Sequence, residues 1–147
     1  LARVAAHVVT VEIDPTHQAQ ARQNLLKAGL LSRVTFLAGD ALAVCAQCTL
    51  QPIDAAFLDP DRAVSGPDHV YRFRQSNMRP PADQLLEAAF ALTDDIALVL
   101  PPFVDSSELS DLPQHECQNL YFGETHEIIC LYFGALAHAC GVTEVRL

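Results

Sequence analysis

The stretch Ile53-Asp54-Ala55-Ala56-Phe57-Leu58-Asp59-Pro60 decides how the rest of the chain is interpreted. Residues 55–58 have no polar side chain, and prolines at 52 and 60 bracket the stretch, which predicts a short central parallel strand buried on both faces. Pro60 cannot donate a ladder hydrogen bond, so the strand must end at Asp59. Ligands of open α/β sheets bind beyond the carboxyl ends of the strands, which makes Asp59 a candidate site residue. The same Asp-Pro pair also closes ordinary surface turns.

Two upstream strands are predicted, and each ends on acidic residues. Residues 8–14 are rich in β-branched side chains and end in Glu12 and Asp14, while residues 34–40 end in Asp40. The carboxyl ends of parallel strands meet at one edge of a sheet. Carboxylates grouped there could bind ribose hydroxyls, the amino group of a base, or a metal.

The remaining pattern alternates between helices and strands. Asp14 is a predicted helix cap, with Pro15 at the first helical position and Gly29 as the left-handed residue after the last turn. This order predicts a doubly wound, mostly parallel α/β sheet with a C-terminal antiparallel hairpin. The other predicted elements are a short helix or loop at 41–50, a helix at 83–92 capped by Asp83, and strands at 96–100, 115–122 and 126–136.

The charge of the chain is acidic but unevenly distributed. Its 147 residues contain 18 acidic and 9 basic side chains, giving a net charge of −9. A uniformly acidic surface would repel nucleic acid. The loop predicted at 61–82 is long enough to suggest a functional segment. This part of the chain is also the most basic, with arginines at positions 62, 72, 74 and 79.

The cysteines predict reduced thiols and no metal centre. There are five, an odd number, mostly among apolar neighbours, which is typical of a cytoplasmic protein. Cys45-Ala46-Gln47-Cys48 could be half of a zinc site or a redox pair, but the sequence has no second pair at metal-ligand spacing. No stretch approaches the roughly 20 apolar residues of a membrane span, so we expect no membrane partner.

Three motifs resemble those of the class I S-adenosylmethionine-dependent methyltransferases. They are Val11-Glu12-Ile13-Asp14-Pro15, Gly39-Asp40-Ala41 and Phe57-Leu58-Asp59-Pro60, and the hairpin around Glu124-Thr125-His126-Glu127 is similar to the last two strands of that family. The resemblance spans residues 4–136. In pattern it is nearest to the trimethylguanosine-synthase-like group and related RNA methyltransferases, whose motif often continues as Asp59-Pro60-Asp61-Arg62 does.

The resemblance implies roles for these motif residues. Glu12, followed by Asp14, would hold the ribose hydroxyls of S-adenosyl-L-methionine. Asp40 would accept the adenine amino group, with the backbone of Ala41 nearby. The catalytic pair would be Asp59 and Pro60, which would orient the target nitrogen.

Two departures from the family pattern change what is expected. Asp61 and Arg62 stand where amino-group methyltransferases of this class usually have a second proline and an aromatic residue that stacks on the target base. The Gly-rich first motif is also absent, and Leu1-Ala2-Arg3 resembles the tail of the helix that follows it. We therefore interpret residues 1–147 as a partial methyltransferase domain that lacks the first strand, expected between the strands at 8–14 and 53–59, and that is inactive alone.

The loop that follows Asp59-Pro60 suggests RNA as the substrate. Tyr71 and Phe73 alternate with Arg72 and Arg74, so that aromatic rings could stack on unpaired bases while these arginines, with Arg62, contact phosphates. The structural alternative is that the aromatic rings pack on the domain and the arginines pair with nearby acids.

Two rival functions remain open from the sequence. The first is a non-catalytic Rossmann-like module that binds a nucleotide or serves as a scaffold. The second is a nucleotide-binding oxidoreductase domain, which is disfavoured because the terminal antiparallel hairpin and the Asp59-Pro60 strand end fit it poorly.

Overall fold

A computed structural model describes residues 1–47, 52–62 and 71–147 of the chain. They belong to two compact units, Leu1–Cys48 (unit 1) and Thr49–Leu147 (unit 2). Cys48, which is half of the C-x-x-C pair, and loop residues 63–70 lie outside the described residues.

Unit 1 is a β-α-β-α segment built around two parallel strands. The strands β1 and β2 pair in register from Val8 opposite Val34 to Glu12 opposite Ala38. Helix α1 connects them and ends as predicted, since the residue after its cap, Gly29, has a φ of +68°. The elements are β1 (Val8–Glu12), α1 (Pro15–Lys27), β2 (Val34–Ala38) and α2 (Ala41–Gln47).

Unit 2 contains a five-stranded mixed sheet in the order β3-β4-β6-β5-β7. β3 and β4 are parallel, and the predicted hairpin of β5 and β6 is antiparallel. The predicted mixed α/β fold is therefore confirmed, and the strands of the described residues form two sheets. The elements are β3 (Ala56–Leu58), α3 (Ala82–Phe90), β4 (Ile96–Leu100), β5 (His115–Phe122), β6 (Thr125–Phe133) and β7 (Gly141–Arg146).

The strand directions define the edge of unit 2 on which candidate site residues lie. β6 is antiparallel to both β4 and β5, so β3, β4 and β5 run in the same direction. Their carboxyl ends therefore meet at one edge, which we call the carboxyl edge. It contains residues 59–62 after β3, 101–104 after β4, and Phe122 with the turn after β5.

The core of unit 2 lies on one face of this sheet. The alternating side chains of β4 and β6 pack against the apolar face of α3, as the helical spacing of its leucines and alanines predicts. None of the helices in the described ranges has the length and apolar content needed to cross a membrane. The fully buried core residues include Phe73, Met78, Leu86, Ala89, Ile96, Leu98, Leu100, Leu131 and Phe133.

The prediction that β3 is covered on both faces was wrong. Within the described residues β3 pairs only with β4, and it is the edge strand of its sheet. Ala56 and Leu58 pack against the core, whereas Phe57, which points to the opposite face, is 51% exposed. A short apolar run shows that a segment is buried somewhere but does not show how many of its faces are covered.

Two other details differ from the sequence prediction. Helix α3 begins at Ala82 with Pro81 at its cap position, so Asp83 lies in the first turn, where its carboxylate accepts a hydrogen bond from the backbone of Gln75. The strand β7 was not predicted, although Val142, Thr143 and Val145 are β-branched. It pairs in parallel with β5, and that pairing depends on a residue distant in sequence.

That residue is Glu116 of β5, a buried carboxylate that is 5% exposed. It accepts hydrogen bonds from the hydroxyl of Thr143 (2.7 Å) and from the backbone N–H groups of His138 (2.9 Å) and Ala139 (3.2 Å). These donors, Thr143 first, lower the pKa of Glu116. The carboxylate thus ties β5 to β7 and to the chain that leads into it.

We predict that Glu116→Gln destabilises the protein by about 1–3 kcal/mol at pH 7, because buried donors lose a charged acceptor. The folded-state pKa is lowered, so the stabilisation is present above the ordinary value of 4.5 and disappears as the pH falls through the lowered value. Urea unfolding at pH 7 and at about pH 3 should therefore show a smaller difference between variant and parent at the lower pH. Glu127→Gln, at an exposed site on β6, is the control and should leave the free energy of unfolding unchanged at both pH values.

Candidate active site

The carboxyl ends of β1 and β2 place two of the predicted cofactor-binding acids on neighbouring strands. Glu12 is the last residue of β1. β2 ends at Ala38 and is followed by Gly39 and then Asp40. The N–H of Gly39 donates to the carbonyl of Glu12 (3.2 Å), which joins the strand ends. Gly39 has a φ of +145°, a conformation that side chains with a Cβ rarely adopt, so glycine is required for this turn.

The carboxylates of Glu12 and Asp14 accept different backbone hydrogen bonds. The Glu12 carboxylate is half-buried and accepts the backbone N–H of Asp14 at 2.8 Å, which orients it at the strand end. Asp14 caps α1 by accepting the N–H groups of Thr16 (2.6 Å) and His17 (3.3 Å), and these bonds, that of Thr16 first, lower its pKa. The predicted cap is confirmed, and Oδ1 of Asp14 accepts both of its bonds.

Asp40 is an exposed carboxylate at the start of α2. Its Oδ1 accepts the N–H of Ala43 at 3.0 Å, and Ala41 begins the helix beside it. Unit 1 therefore presents carboxylate oxygens from two adjacent strand ends. Such acceptors suit hydroxyl groups and an amino group, which are donors.

In unit 2, Asp59 and Pro60 directly follow β3 at the carboxyl edge. Asp59 is exposed and Pro60 is buried. Asp61 is held by a two-bond backbone bridge with Arg79, at 2.8 and 3.0 Å, and Arg62 follows as an exposed side chain. The strand end is thus anchored on both sides of the exposed carboxylate.

The predicted stacking role of Phe73 was wrong. Phe73 is 1% exposed and belongs to the core, and Tyr71 is half-buried and packs against the same core. The alternation of aromatic and basic residues suggested an extended segment, but residues 73–76 form a tight turn with a positive φ at Gln75 (50°). A ring that is already buried cannot stack on a base.

Glu108 decides where the two arginines of this segment lie. Its carboxylate pairs with the guanidinium of Arg72 and accepts the N–H groups of Phe73 (2.7 Å) and Arg74 (2.9 Å). The alternative in which the arginines pair with acids of the protein therefore holds for Arg72. Arg74 is exposed, and its guanidinium lies 5.6 Å from the centroid of the Phe73 ring. Glu108 lies 36 residues from Arg72, and no local motif singles it out.

Two of the described cysteines, Cys117 and Cys130, are neighbouring thiols of the sheet in unit 2. Burial raises the pKa of the Cys117 and Cys130 thiols, which keeps them protonated and unreactive. Within residues 1–47, 52–62 and 71–147, no group of at least three His, Cys, Asp or Glu side chains has the geometry to hold a metal.

Residues 1–135 match the model of the RNA cap guanine-N2 methyltransferases. The chain belongs to this family. The match covers every motif on which the resemblance was based, from Glu12 to the hairpin, and the inferred class I methyltransferase relationship is confirmed.

Curated relatives of this family member include catechol O-methyltransferases. The protein from Mycobacterium tuberculosis is 40% identical over 55 residues, which are 37% of this chain and 25% of the relative. That from Niastella koreensis is 36% identical over 58 residues, again 37% of this chain, and 26% of the relative. The matches thus span about a quarter of the length of these relatives.

Solved structures share the fold. A proposed methyltransferase from Porphyromonas gingivalis W83 is similar over 95% of this chain and 33% of its own, with a TM-score of 0.71 and 19% identity. A proposed rRNA methylase from Clostridium thermocellum is similar over 87% of this chain and 75% of its own, with a TM-score of 0.57 and 17% identity.

We predict that Glu108→Gln loosens the turn at residues 72–74. Three donors would lose a charged acceptor, and the backbone N–H groups of Phe73 and Arg74 should exchange with solvent faster. Hydrogen exchange at neutral pH measures this directly, with Glu127→Gln as a control that should exchange like the parent. Unchanged protection of both amides would contradict the anchoring role. The N–H of Arg74 contributes most to lowering the pKa of Glu108, so acidification through that lowered pKa should mimic the variant.

Proposed function

We propose that this protein transfers a methyl group from S-adenosylmethionine to RNA. The observation that carries the proposal is the set of carboxylates at strand ends: Glu12 and Asp40 on paired strands of unit 1, and Asp59 after β3 of unit 2. All three lie inside the region that matches the RNA cap guanine-N2 methyltransferase family.

The residues of unit 1 fit the chemistry of the cofactor. Glu12 offers a half-buried, oriented carboxylate that would accept the two ribose hydroxyls. Asp40 would accept the adenine amino group through the oxygen that does not cap α2, next to the backbone of Ala41. Asp14 would support Glu12 through its N–H instead of contacting the cofactor. When bound, S-adenosylmethionine supplies an electrophilic methyl group on its sulfonium sulfur.

Asp59 and Pro60 would align the acceptor nitrogen. A carboxylate and a backbone carbonyl can accept the two N–H groups of an exocyclic amine, which fixes the direction of its lone pair. Methyl transfer from a sulfonium requires little acid–base assistance, so orientation supplies most of the rate enhancement. Asp59 is exposed at the edge and could also receive the proton that the amine loses.

RNA is the proposed substrate because of the family and the exposed cations. The family name specifies guanine N2 of an RNA cap. Two exposed arginines follow Asp59 in the sequence: Arg62, three residues later, and Arg74, in the turn at residues 73–76. Arginine pairs with phosphate through charge-assisted hydrogen bonds. The catechol O-methyltransferase relatives favour a second candidate, a small aromatic acceptor. The non-catalytic module remains the third.

We also infer a cytoplasmic location. Cys117, Cys130 and Cys140 are free thiols in the structure, which suits a reducing compartment.

We predict that Asp40→Ala weakens S-adenosylmethionine binding by about 1–3 kcal/mol, the cost of leaving an amino donor without its acceptor. Calorimetric titration of the full-length protein measures this. Asp40→Ser is the matched variant, because serine caps α2 about as well as aspartate but is too short to replace the carboxylate. Equal weakening in both variants supports the contact. If only the alanine variant binds more weakly, Asp40 acts by capping α2 and does not contact the cofactor. If both variants bind like the parent, Asp40 is not part of the cofactor site.

We predict that Arg62→Ala with Arg74→Ala weakens RNA binding and makes its salt dependence shallower by about 0.7 per lost phosphate contact on single strands. Arg72→Ala should have a smaller effect, because Arg72 is already paired with Glu108. Arg33→Ala is the control, since Arg33 is exposed at the amino end of β2, away from the strand ends that carry the acids. Cofactor affinity should be unchanged throughout. If the salt dependence of RNA binding is the same in the double variant as in the parent, the main physical support for RNA as the substrate is lost.

A further inference from the structure

The side chain of Phe103 is unusually exposed for a large aromatic ring, with 73% of its surface accessible. It follows β4 in the sequence Pro101-Pro102-Phe103-Val104. Exposing a phenylalanine leaves a large apolar area in water that burial would remove. An aromatic ring kept at the surface in this way is a candidate contact for a ligand.

The backbone around Phe103 is anchored, although its ring is free. The N–H of Val104 donates to the carbonyl of Pro101 (3.3 Å), which closes a turn with Pro102 and Phe103 in the middle positions. Pro101 and Val104 are both buried, and Pro102 restricts its own φ. The ring is therefore presented from a rigid base, and a ligand that stacks on it would not have to order the backbone.

Phe103 lies on the strand next to the proposed catalytic residues. β3 and β4 are parallel with Leu58 opposite Leu98, so Asp59-Pro60 and Pro101-Pro102-Phe103 leave the sheet at the same edge. Adjacent strands are about 4.8 Å apart. Continuing the register places Asp59 opposite Val99, so the turn that carries Phe103 lies a few residues beyond Asp59 at this edge, on the side to which a planar ligand held by Asp59 would extend.

The charges at this edge indicate which part of a nucleic acid would lie there. The side chains of Asp59 and Asp61 are exposed and acidic, and they would repel a phosphate from the strand end itself, whereas the exposed Arg62 follows them and could pair with a neighbouring phosphate. They are good acceptors for the N–H donors on the Watson–Crick rim of an unpaired guanine. The chain has no aromatic residue directly after Asp59-Pro60, and Phe73 is buried in the core.

We propose that Phe103 is the platform on which the target nucleobase stacks while Asp59 holds its amino group. The inference rests on the proposed function and adds the binding surface of the acceptor. An unpaired purine gains stacking energy on such a ring whatever its sequence context, and the carboxylates select a base that presents donors. A small aromatic acceptor such as a catechol could stack in the same way, so the experiment must separate the two.

The experiment measures binding and methylation of a short, unstructured, guanine-containing RNA by the full-length protein. We expect Phe103→Ala and Phe103→Leu to weaken binding about 5- to 150-fold, the range of a lost base–aromatic stack, and Phe103→Trp to bind like the parent. Phe122→Ala is the matched control: Phe122 is 69% exposed at the same edge, but β6 separates its strand from β4. It should bind like the parent.

The outcomes separate this inference from the proposed function. If the parent methylates RNA and Phe103→Ala binds it normally, the stacking role is wrong and the proposed function stands. Parental binding by Phe103→Leu, or an equal loss in Phe122→Ala, would also overturn stacking by showing a nonspecific apolar contact. If the parent methylates a catechol and not RNA, both the RNA assignment and the nucleobase platform are wrong.

Discussion

Parallel strand pairing is the constraint on which the candidate site depends. Because β1 pairs in parallel with β2, the acids that end these strands lie on neighbouring strand ends, and the turn at Gly39 joins them. The parallel pairing of β3 with β4 likewise brings Asp59 and Phe103 to one edge. An antiparallel arrangement of either pair would send these residues to opposite ends. The chemistry therefore follows from strand direction, and the helices serve to make that direction possible.

Carboxylates in this chain divide into those satisfied by the protein and those left available. Glu116 and Glu108 accept several backbone or side-chain donors each, and these donors lower the pKa of both. Asp14 is occupied by the cap of α1. Glu12 and Asp40 each accept a backbone N–H through one carboxylate oxygen, and Asp59 is exposed. The net charge of −9 therefore counts both the acids that stabilise the fold and the candidate site acids, and their hydrogen bonds distinguish the two groups.

Aromatic residues show a similar division. Phe73 has the sequence context of a nucleic-acid contact, with an arginine on each side, yet it fills the core of unit 2. Phe103 stands between a proline and a valine, a context that suggests a buried strand end, yet its ring is exposed. The cause in the first case is Glu108, which binds three successive residues and turns the Phe73 ring inward. In the second, it is the turn closed by Pro101 and Val104.

The sequence by itself determined the local and periodic features of this protein. Features that depend on neighbours within a few residues were predicted correctly: the strand at residues 115–122, the helix bounded by Asp14 and Gly29, and the acids at strand ends. The family match confirmed the motifs that these features form. The tertiary structure alone decided that β3 is an edge strand, that β7 joins β5, and that Arg72 is paired while Phe103 is exposed. The strand pairings and the ion pair depend on partners far along the chain, such as Glu108 for Arg72, and periodicity carries no information about which distant residues meet. The exposure of Phe103 follows from a local turn that periodicity does not mark either.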